Sequence, residues 1–404
     1  MSLQDLLKNH VRHGALSVRL PGGARLELGD GTGPRIAASL TDPLWCARVA
    51  ARPALAAGEA YMAGALTVEE GGLYALMDLM ARSFPVAKPA GGALGRWWLD
   101  RRMQANSRRA SRRNVAHHYD LSTDFYRRFL DEDMQYSCAY FARPEMTLEE
   151  AQAAKKRHIA AKLRLEPGQR VLDIGCGWGG LALSLASYCP VDVDGVTLSQ
   201  EQLALARARA ADARMEEHVR FFLTDYRDVR GRYDRIVSVG MFEHVGRPNY
   251  QAYFDAVAAH LADDGVAVIH SIGRSDGPDV TQPWIAKYIF PGGYIPALSE
   301  VLPAVERAGL VVADIEILRL HYAETLKRWR ARFMARRAEI ARLYDERFCR
   351  MWEFYLVVSE LAFRVRGHMV FQLQLARRGE AVPLTRDYIA EAERALEAPR
   401  RIAA

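Results

Sequence analysis

The chain lacks what would place it inside a membrane or on a disulfide scaffold. No run of residues approaches the ~18 consecutive apolar positions that a bilayer-spanning helix requires. The first residues do not read as a secretory signal, because Asp5, Lys8, His10 and Arg12 interrupt any apolar stretch. Cysteine is scarce: Cys46, Cys138, Cys176, Cys189 and Cys349 are scattered, odd in number and without a CxxC pair. That pattern argues against a disulfide framework and a cysteine zinc site, and for a reducing compartment. An HExxH motif and other clustered metal-ligand spacings are also missing, so no metal is expected. Internal repeats and long low-complexity tracts are absent.

What is present suffices for a packed core. Half of the 404 residues are apolar and 26% are charged, which suits two or three globular domains. The charge balance is positive, with 55 basic residues against 49 acidic ones. Such an excess fits nucleic acid, an anionic membrane surface, or no partner at all. It is locally concentrated. Arg96 to Arg113 reads RWWLDRRMQANSRRASRR, seven arginines opposed only by Asp100, after the linker-like PVAKPAGGALG of Pro85–Gly95. The pair Trp97–Trp98 beside arginine favours a membrane interface with anionic headgroups, although single-stranded nucleic acid uses the same residue types. A second basic stretch, Arg328–Arg337, puts Arg328, Arg332 and Arg336 at helical spacing beside a stripe of Trp329, Phe333 and Arg337.

Residues 1–84 read as a small α+β module, with short strands at Ser17–Leu20 and Arg25–Leu28 and a helix at Leu73–Ala81. Residues 85–115 read as a basic linker, and 116–404 as a second, larger domain. Within that domain strands are expected at Arg170–Ile174, Val191–Val196, Val219–Leu223, Tyr233–Val239 and Val266–Ser271. Helices fall between them, at Leu181–Tyr188, Gln200–Glu217 and Tyr250–Leu261. This alternation predicts an α/β fold, a parallel sheet covered by helices on both faces, with ligands at the C-terminal strand ends.

The most informative local sequence is VLDIGCGWGG, Val171–Gly180. An apolar strand runs into Gly175, Gly177, Gly179 and Gly180, where missing Cβ atoms permit a sharp turn and a close ligand. As a bare pattern, Gly175, Gly177 and Gly180 satisfy the dinucleotide fingerprint GxGxxG. Two features favour another nucleotide-like ligand. Asp173 precedes the first glycine by two residues, where a carboxylate attracts a cation rather than a pyrophosphate. Downstream, Thr224, Asp225 and Tyr226 end a strand with groups that bond and stack a purine. S-adenosylmethionine (SAM) fits both, and the DxGxGxG loop with Cys176 inside it resembles that of class I SAM-dependent methyltransferases. In GVTLSQEQL, Thr197 and Gln202 are neutral candidates for the ribose hydroxyls; Ser199 as N-cap with Gln202 at its third helical position explains the same residues structurally.

Further polar segments are HHYDLSTDFY (His117–Tyr126), MQYSCAYF (Met134–Phe141), GMFEHVG (Gly240–Gly246), IHSIG (Ile269–Gly273), YIFPGGYIP (Tyr288–Pro296) and HYAETLKRW (His321–Trp329). Each has a plain explanation by itself: a capping pair at His117–His118, a capping role for Glu243–His244, a buried histidine at His270. Together, in order, they resemble the cyclopropane-fatty-acyl-phospholipid synthase and mycolic acid cyclopropane synthase family, from about His117 to about Arg378.

The resemblance implies a Rossmann-like class I methyltransferase fold with a mostly parallel seven-stranded sheet, plus the small N-terminal α+β domain of the phospholipid-acting branch. It implies transfer of a methylene unit from SAM across a cis double bond of an unsaturated phospholipid acyl chain, through a carbocation. Bicarbonate is the implied base, cradled by Cys138, Glu243, His270, Ile272 and Tyr322. The implied SAM contacts are Tyr136, Ser137, Asp173, Gly175, Cys176, Gly177, Gly179, Thr197, Gln202, Asp225 and Tyr226. An anion near a developing cation both stabilises it and accepts its proton, and Tyr136, Phe141 and Tyr288 are candidates to face the cation. Where some family members have a cysteine, this chain has Ser359, which argues against covalent catalysis there. The resemblance further implies a cytoplasmic homodimer at the inner membrane surface, without nucleic acid. Methylene- or methyl-branched products and a small-amine N-methyltransferase activity remain as alternatives.

Overall fold

The structure, a computed structural model, describes residues 1–84 and 121–397. The arginine-rich stretch Arg96–Arg113, the Trp97–Trp98 pair, the 85–115 linker and His117–His118 lie outside the described residues. Two compact units are present, and they are not contiguous in sequence. The first joins the N-terminal module to Asp279–Pro291 and Ala323–His368; the second holds the rest of the described chain.

In the first unit, strands β1 (Ala15–Arg19), β2 (Arg25–Leu28), β3 (Arg35–Leu40) and β4 (Leu66–Glu70) form a sheet in the order β2-β1-β3-β4. Alternate side chains share a face, so Leu16, Val18, Leu26, Ile36 and Leu40 are buried together with Leu3, Leu6 and Leu7 of the helix Leu3–His10. Later segments belong here for equally physical reasons. A Cβ on Gly58 would lie 2.6 Å from the Trp284 indole and 2.8 Å from the Phe354 ring. The Tyr61 hydroxyl donates to Glu353 at 2.9 Å, and the Arg330 guanidinium lies 4.6 Å from the Tyr74 ring centre.

The second basic stretch lies in the helix His321–Ala335 and just beyond it. Its aromatic stripe is core rather than surface: Trp329 and Phe333 are fully buried. Arg328 pairs with Glu324, Arg330 with Glu360, Arg336 with Glu339 and Arg337 with Glu346. The apolar stripe and its counter-charges explain this helix without a membrane.

In the second unit, β5 (Arg170–Ile174), β6 (Asp192–Thr197), β7 (Val219–Leu223), β8 (Tyr233–Val239), β9 (Leu261–Arg274), β10 (Val311–Leu318) and β11 (His368–Ala376) form one sheet, ordered β10-β11-β9-β8-β5-β6-β7. The pairs β5–β6, β5–β8, β6–β7 and β8–β9 are parallel, and β10–β11 is antiparallel. This is the expected mostly parallel seven-stranded α/β sheet. Chain order reverses at β5, with β6 on one side and β8 on the other, so their C-terminal ends open the crevice where such sheets bind ligands. Val171, Leu172, Ile236, Val237, Val268 and Ile269 are buried on both faces, as a sheet covered by helices requires.

Most boundaries shift by one or two residues, and two differ by more. The expected helix Gln200–Glu217 stops at Asp212, because Arg214 takes a left-handed φ of 56° and Met215 N–H turns back to Ala210 O at 2.9 Å. Strand β9 runs well past Val266–Ser271 at both ends. Among the described residues, no helix is long and apolar enough to cross a membrane.

Candidate active site at the C-terminal ends of β5 and β8

The glycine loop leaves β5 with three left-handed residues, Gly175 at φ +83°, Gly177 at +54° and Gly179 at +81°. Their missing side chains have different reasons. A Cβ on Gly175 would meet Met241 at 2.9 Å, and one on Gly179 would meet the Phe221 ring at 2.7 Å. One on Gly180 would strike the Asp133 carboxylate at 2.5 Å and the Gln135 amide at 2.6 Å. Three of these glycines therefore serve packing. Nothing lies within 4 Å of a Cβ on Gly177, so space for a ligand is left there. The loop is tied to β6 by Gly175 and Cys176 N–H groups donating to Val196 O. Burial pushes the Cys176 thiol well above its usual pKa, which makes it a packing group rather than a nucleophile.

Asp173, at the end of β5, is buried, and its Oδ2 has no hydrogen-bond partner. Loss of hydration pushes its carboxyl up to about 7, with Lys155 pulling the other way. An unpartnered buried carboxyl beside an open glycine fits a cationic ligand group such as the sulfonium or ammonium of SAM. At the end of β6, Thr197 Oγ1 donates to Gln202 Oε1 at 3.0 Å while accepting from Ser199 N–H. Ser199 in turn caps its helix by accepting from Gln202 N–H at 3.2 Å. The structural explanation of this cluster thus holds, with Thr197 and Gln202 joined to each other.

Asp225 and Tyr226 follow β7. Asp225 is bound by the Arg227 guanidinium through two contacts of 2.8 and 2.6 Å, a partner sequence reasoning did not supply. Tyr226 packs edge-on against Tyr253, with ring centres 5.3 Å apart.

After β8, the turn Phe242–His244 presents Glu243 toward β9. Its Oε1 accepts from Ile272 N–H at 2.7 Å, and its buried Oε2 has no partner. Burial holds the carboxyl up at about 7, against the opposing Ile272 hydrogen bond. His270, two residues earlier on the same strand, is buried and kept neutral, its pKa driven well down by desolvation. Gln372 Nε2 lies 3.1 Å from His270 Nδ1; the amide donates, so Nε2 of His270 carries the ring proton. Glu243 and Ile272 are thus joined directly, and His270 stands two residues before Ile272 on β9. Cys138 and Tyr322 are buried, and their neighbours are joined: Phe141 N–H donates to His321 Nδ1 at 3.0 Å. Tyr288 falls in the first unit, its hydroxyl donating to Glu59. Among the described residues, no group of His, Cys, Asp and Glu is arranged to hold a metal ion.

The helix Leu148–Leu163 contributes what the sequence hid. Gln152 Nε2 donates to the carbonyls of Gln135 and Ser137, at 3.2 and 3.0 Å, and Lys155 Nζ bonds Ser137 Oγ at 2.9 Å. The strap Gln135–Cys138, which carries Tyr136 and Ser137, is fastened by that helix.

The family model for mycolic acid cyclopropane synthetases matches residues 106–373. The chain belongs to that family. Its relatives include a cyclopropane-fatty-acyl-phospholipid synthase of Escherichia coli, 45% identical over 64% of this chain and 66% of the relative. The tuberculostearic acid methyltransferase UfaA1 of Mycobacterium tuberculosis is 38% identical over 93% of this chain and 90% of its own length. Among solved structures, the cyclopropane synthase MmaA2 of the same organism superposes with a TM-score of 0.63 at 35% identity, covering 66% of this chain and 98% of its own. Mycolic acid cyclopropane synthase CmaA1, complexed with S-adenosylhomocysteine and CTAB, gives 0.62 at 35% identity, over 65% of this chain and 97% of its own. Family and fold thus make the protein a SAM-dependent methyltransferase.

Proposed function

We propose that the protein transfers a methylene unit from SAM across the cis double bond of an unsaturated phospholipid acyl chain. SAM supplies the electrophilic methyl group. The observation that carries the reading is the buried Glu243, bonded to Ile272 N–H at the strand ends, with His270 buried two residues earlier on β9. Ring closure needs a proton taken from the transferred carbon in a dry site. Glu243, with a pKa raised to about 7, holds or releases a proton near neutral pH. As a neutral acid it donates, and so does His270 through Nε2–H; such a pair suits an anion such as bicarbonate. Ile272 acts through Glu243, because its N–H is already given to that carboxylate. Cys138 and Tyr322 complete the proposed cradle. Asp173, Gly177 and the strap residues Tyr136 and Ser137 receive SAM, with Gly175, Cys176 and Gly179 shaping the loop, and Thr197, Gln202, Asp225 and Tyr226 serve its adenosine part. A homodimer visiting the inner face of the membrane belongs to the same reading.

A second product class is favoured by one observation: the relative matching over 93% of this chain is a tuberculostearic acid methyltransferase. In that reading a 1,2-hydride shift moves the charge of the same cation onto the methyl-bearing carbon, where loss of a methyl proton gives a methylene-branched chain; loss of a proton from a neighbouring chain carbon leaves a methyl-branched alkene instead. One experiment separates the two. Methyl-labelled SAM is incubated with liposomes of monounsaturated phospholipid, and the fatty acids are analysed before and after catalytic hydrogenation. A labelled cyclopropane supports the first reading and a reducible methylene the second. No label in lipid defeats both and turns attention to soluble amines.

A further inference from the structure

Two lysines of the helix Leu148–Leu163 are fully buried, Lys155 and Lys162. They are held in opposite ways. Lys162 has carboxylate partners in Glu316 and, at 3.6 Å, Asp314, which is how a buried ammonium is ordinarily kept. The hydrogen bonds of Lys155 go instead to two neutral oxygens, Gln135 Oε1 and Ser137 Oγ. Desolvation holds its pKa down at about 8, with Asp131 the main opposing charge. Burying an ammonium in this way is unfavourable, and an apolar side chain would fill the same volume. The site also keeps its opposite: Asp173 is buried with one oxygen unpartnered, and Lys155 is the cation acting on it.

We infer that Lys155 is a positioning residue that makes the SAM site complementary to an amino-acid zwitterion. Its ammonium occupies the acceptor side of Ser137, so the Ser137 hydroxyl must spend its own proton as a donor. That donor, backed by the positive charge, is matched to the carboxylate of the methionine moiety, and Asp173 to its cationic groups. A serine without the lysine is free to turn either way, while Gln152 still holds the strap backbone through the Gln135 and Ser137 carbonyls. The inference rests on the assignment of Ser137 to the SAM site. Lipid chemistry does not enter it.

The test measures binding of SAM and of decarboxylated SAM to the full chain without lipid, so a wrong lipid assignment leaves it untouched. A charge-backed hydrogen bond to the carboxylate makes the unaltered protein prefer SAM by about tenfold or more. Lys155→Met should reduce that preference to about twofold, chiefly by weakening SAM, and Ser137→Ala should do the same. The double variant should discriminate no worse than Ser137→Ala alone, because both act on one contact. If Lys155→Met does not fold, Lys155→Gln replaces it: an N–H donor is retained without charge, and an intermediate preference is expected. Undiminished preference for SAM in a folded Lys155 variant, or losses that multiply in the double variant, would overturn the inference.

Discussion

Two buried carboxyls, Asp173 and Glu243, carry most of what is testable at the level of single residues. Each sits near 7 because burial disfavours its charged form. A carboxyl whose pKa is raised by folding contributes fully below its unfolded value and loses that contribution as pH climbs toward its folded value. For Asp173 the window runs from about 4, its ordinary value, to about 7. Asp173→Asn removes this penalty. The variant should match the parent protein in thermal stability at pH 4 and exceed it at pH 8 by up to about 4 kcal/mol, at roughly 1.4 kcal/mol per pKa unit. Denaturant melts at the two pH values check this; equal stability differences at both would show that Asp173 is ionised and paired. The same change should weaken SAM binding, since the cation-facing charge is gone. Glu243→Gln keeps the oxygen that accepts from Ile272 N–H but cannot release a proton. SAM affinity should stay within about twofold while turnover falls by ~10² or more. Unchanged turnover would remove Glu243 from the chemistry.

At the scale of elements, the glycine loop separates binding from folding. Gly177→Ala adds a Cβ into open space, at a φ of +54° that costs about 1 kcal/mol for a side-chain-bearing residue. The variant should fold with a modest loss of melting temperature and lose SAM affinity by at least about tenfold, because the added methyl occupies the ligand's approach. Gly179→Ala meets Phe221 and Ala206 as well as an unfavourable φ, so its dominant effect should be on stability. Calorimetry with and without SAM distinguishes the two; equal ligand responses would refute the division. This loop and strands β5, β7 and β8 were legible in the sequence because their signals are local, namely short apolar runs ended by glycine or a polar cluster. Lys155, Gln152 and Arg227 were not. Lys155 and Gln152 lie in a helix that carries no sequence motif, and what they fasten lies 15 to 20 residues away. Arg227 is only two residues from Asp225 in sequence, yet only the tight turn after β7 makes the pairing apparent. Strands β10 and β11 escaped notice because their pairing joins Val311–Leu318 to a segment over fifty residues on.

For the whole molecule, the distribution of charge is the decisive quantity. The first unit draws in Ala323–His368, and there the second basic stretch is matched by Glu324, Glu339, Glu346 and Glu360. Sequence spacing alone could not tell a paired arginine from an open one, because the partners come from neighbouring turns and from another helix. With four arginines of that stretch engaged in ion pairs, the sequence points to another address for the imbalance. Arg96–Arg113 holds seven arginines and one aspartate, a local excess of six, equal to the excess of the entire chain. Everything outside it is neutral in sum. Under the proposed lipid function, attraction to anionic headgroups should therefore depend chiefly on this stretch, each arginine near the surface contributing about 1 kcal/mol and losing it as salt screens the surface. Replacing Arg101, Arg102, Arg108, Arg109, Arg112 and Arg113 with glutamine should abolish sedimentation with vesicles of anionic phospholipid. Kd for SAM and turnover on detergent-dispersed lipid should stay within about twofold, because the SAM site is built from other residues. In the parent protein, binding should fall steeply as salt is raised from 50 to 500 mM (about tenfold in ionic strength) and be weak on zwitterionic vesicles at any salt. Equal binding of the glutamine variant and the parent would assign adhesion to apolar contacts instead, with Trp97 and Trp98 the next residues to replace.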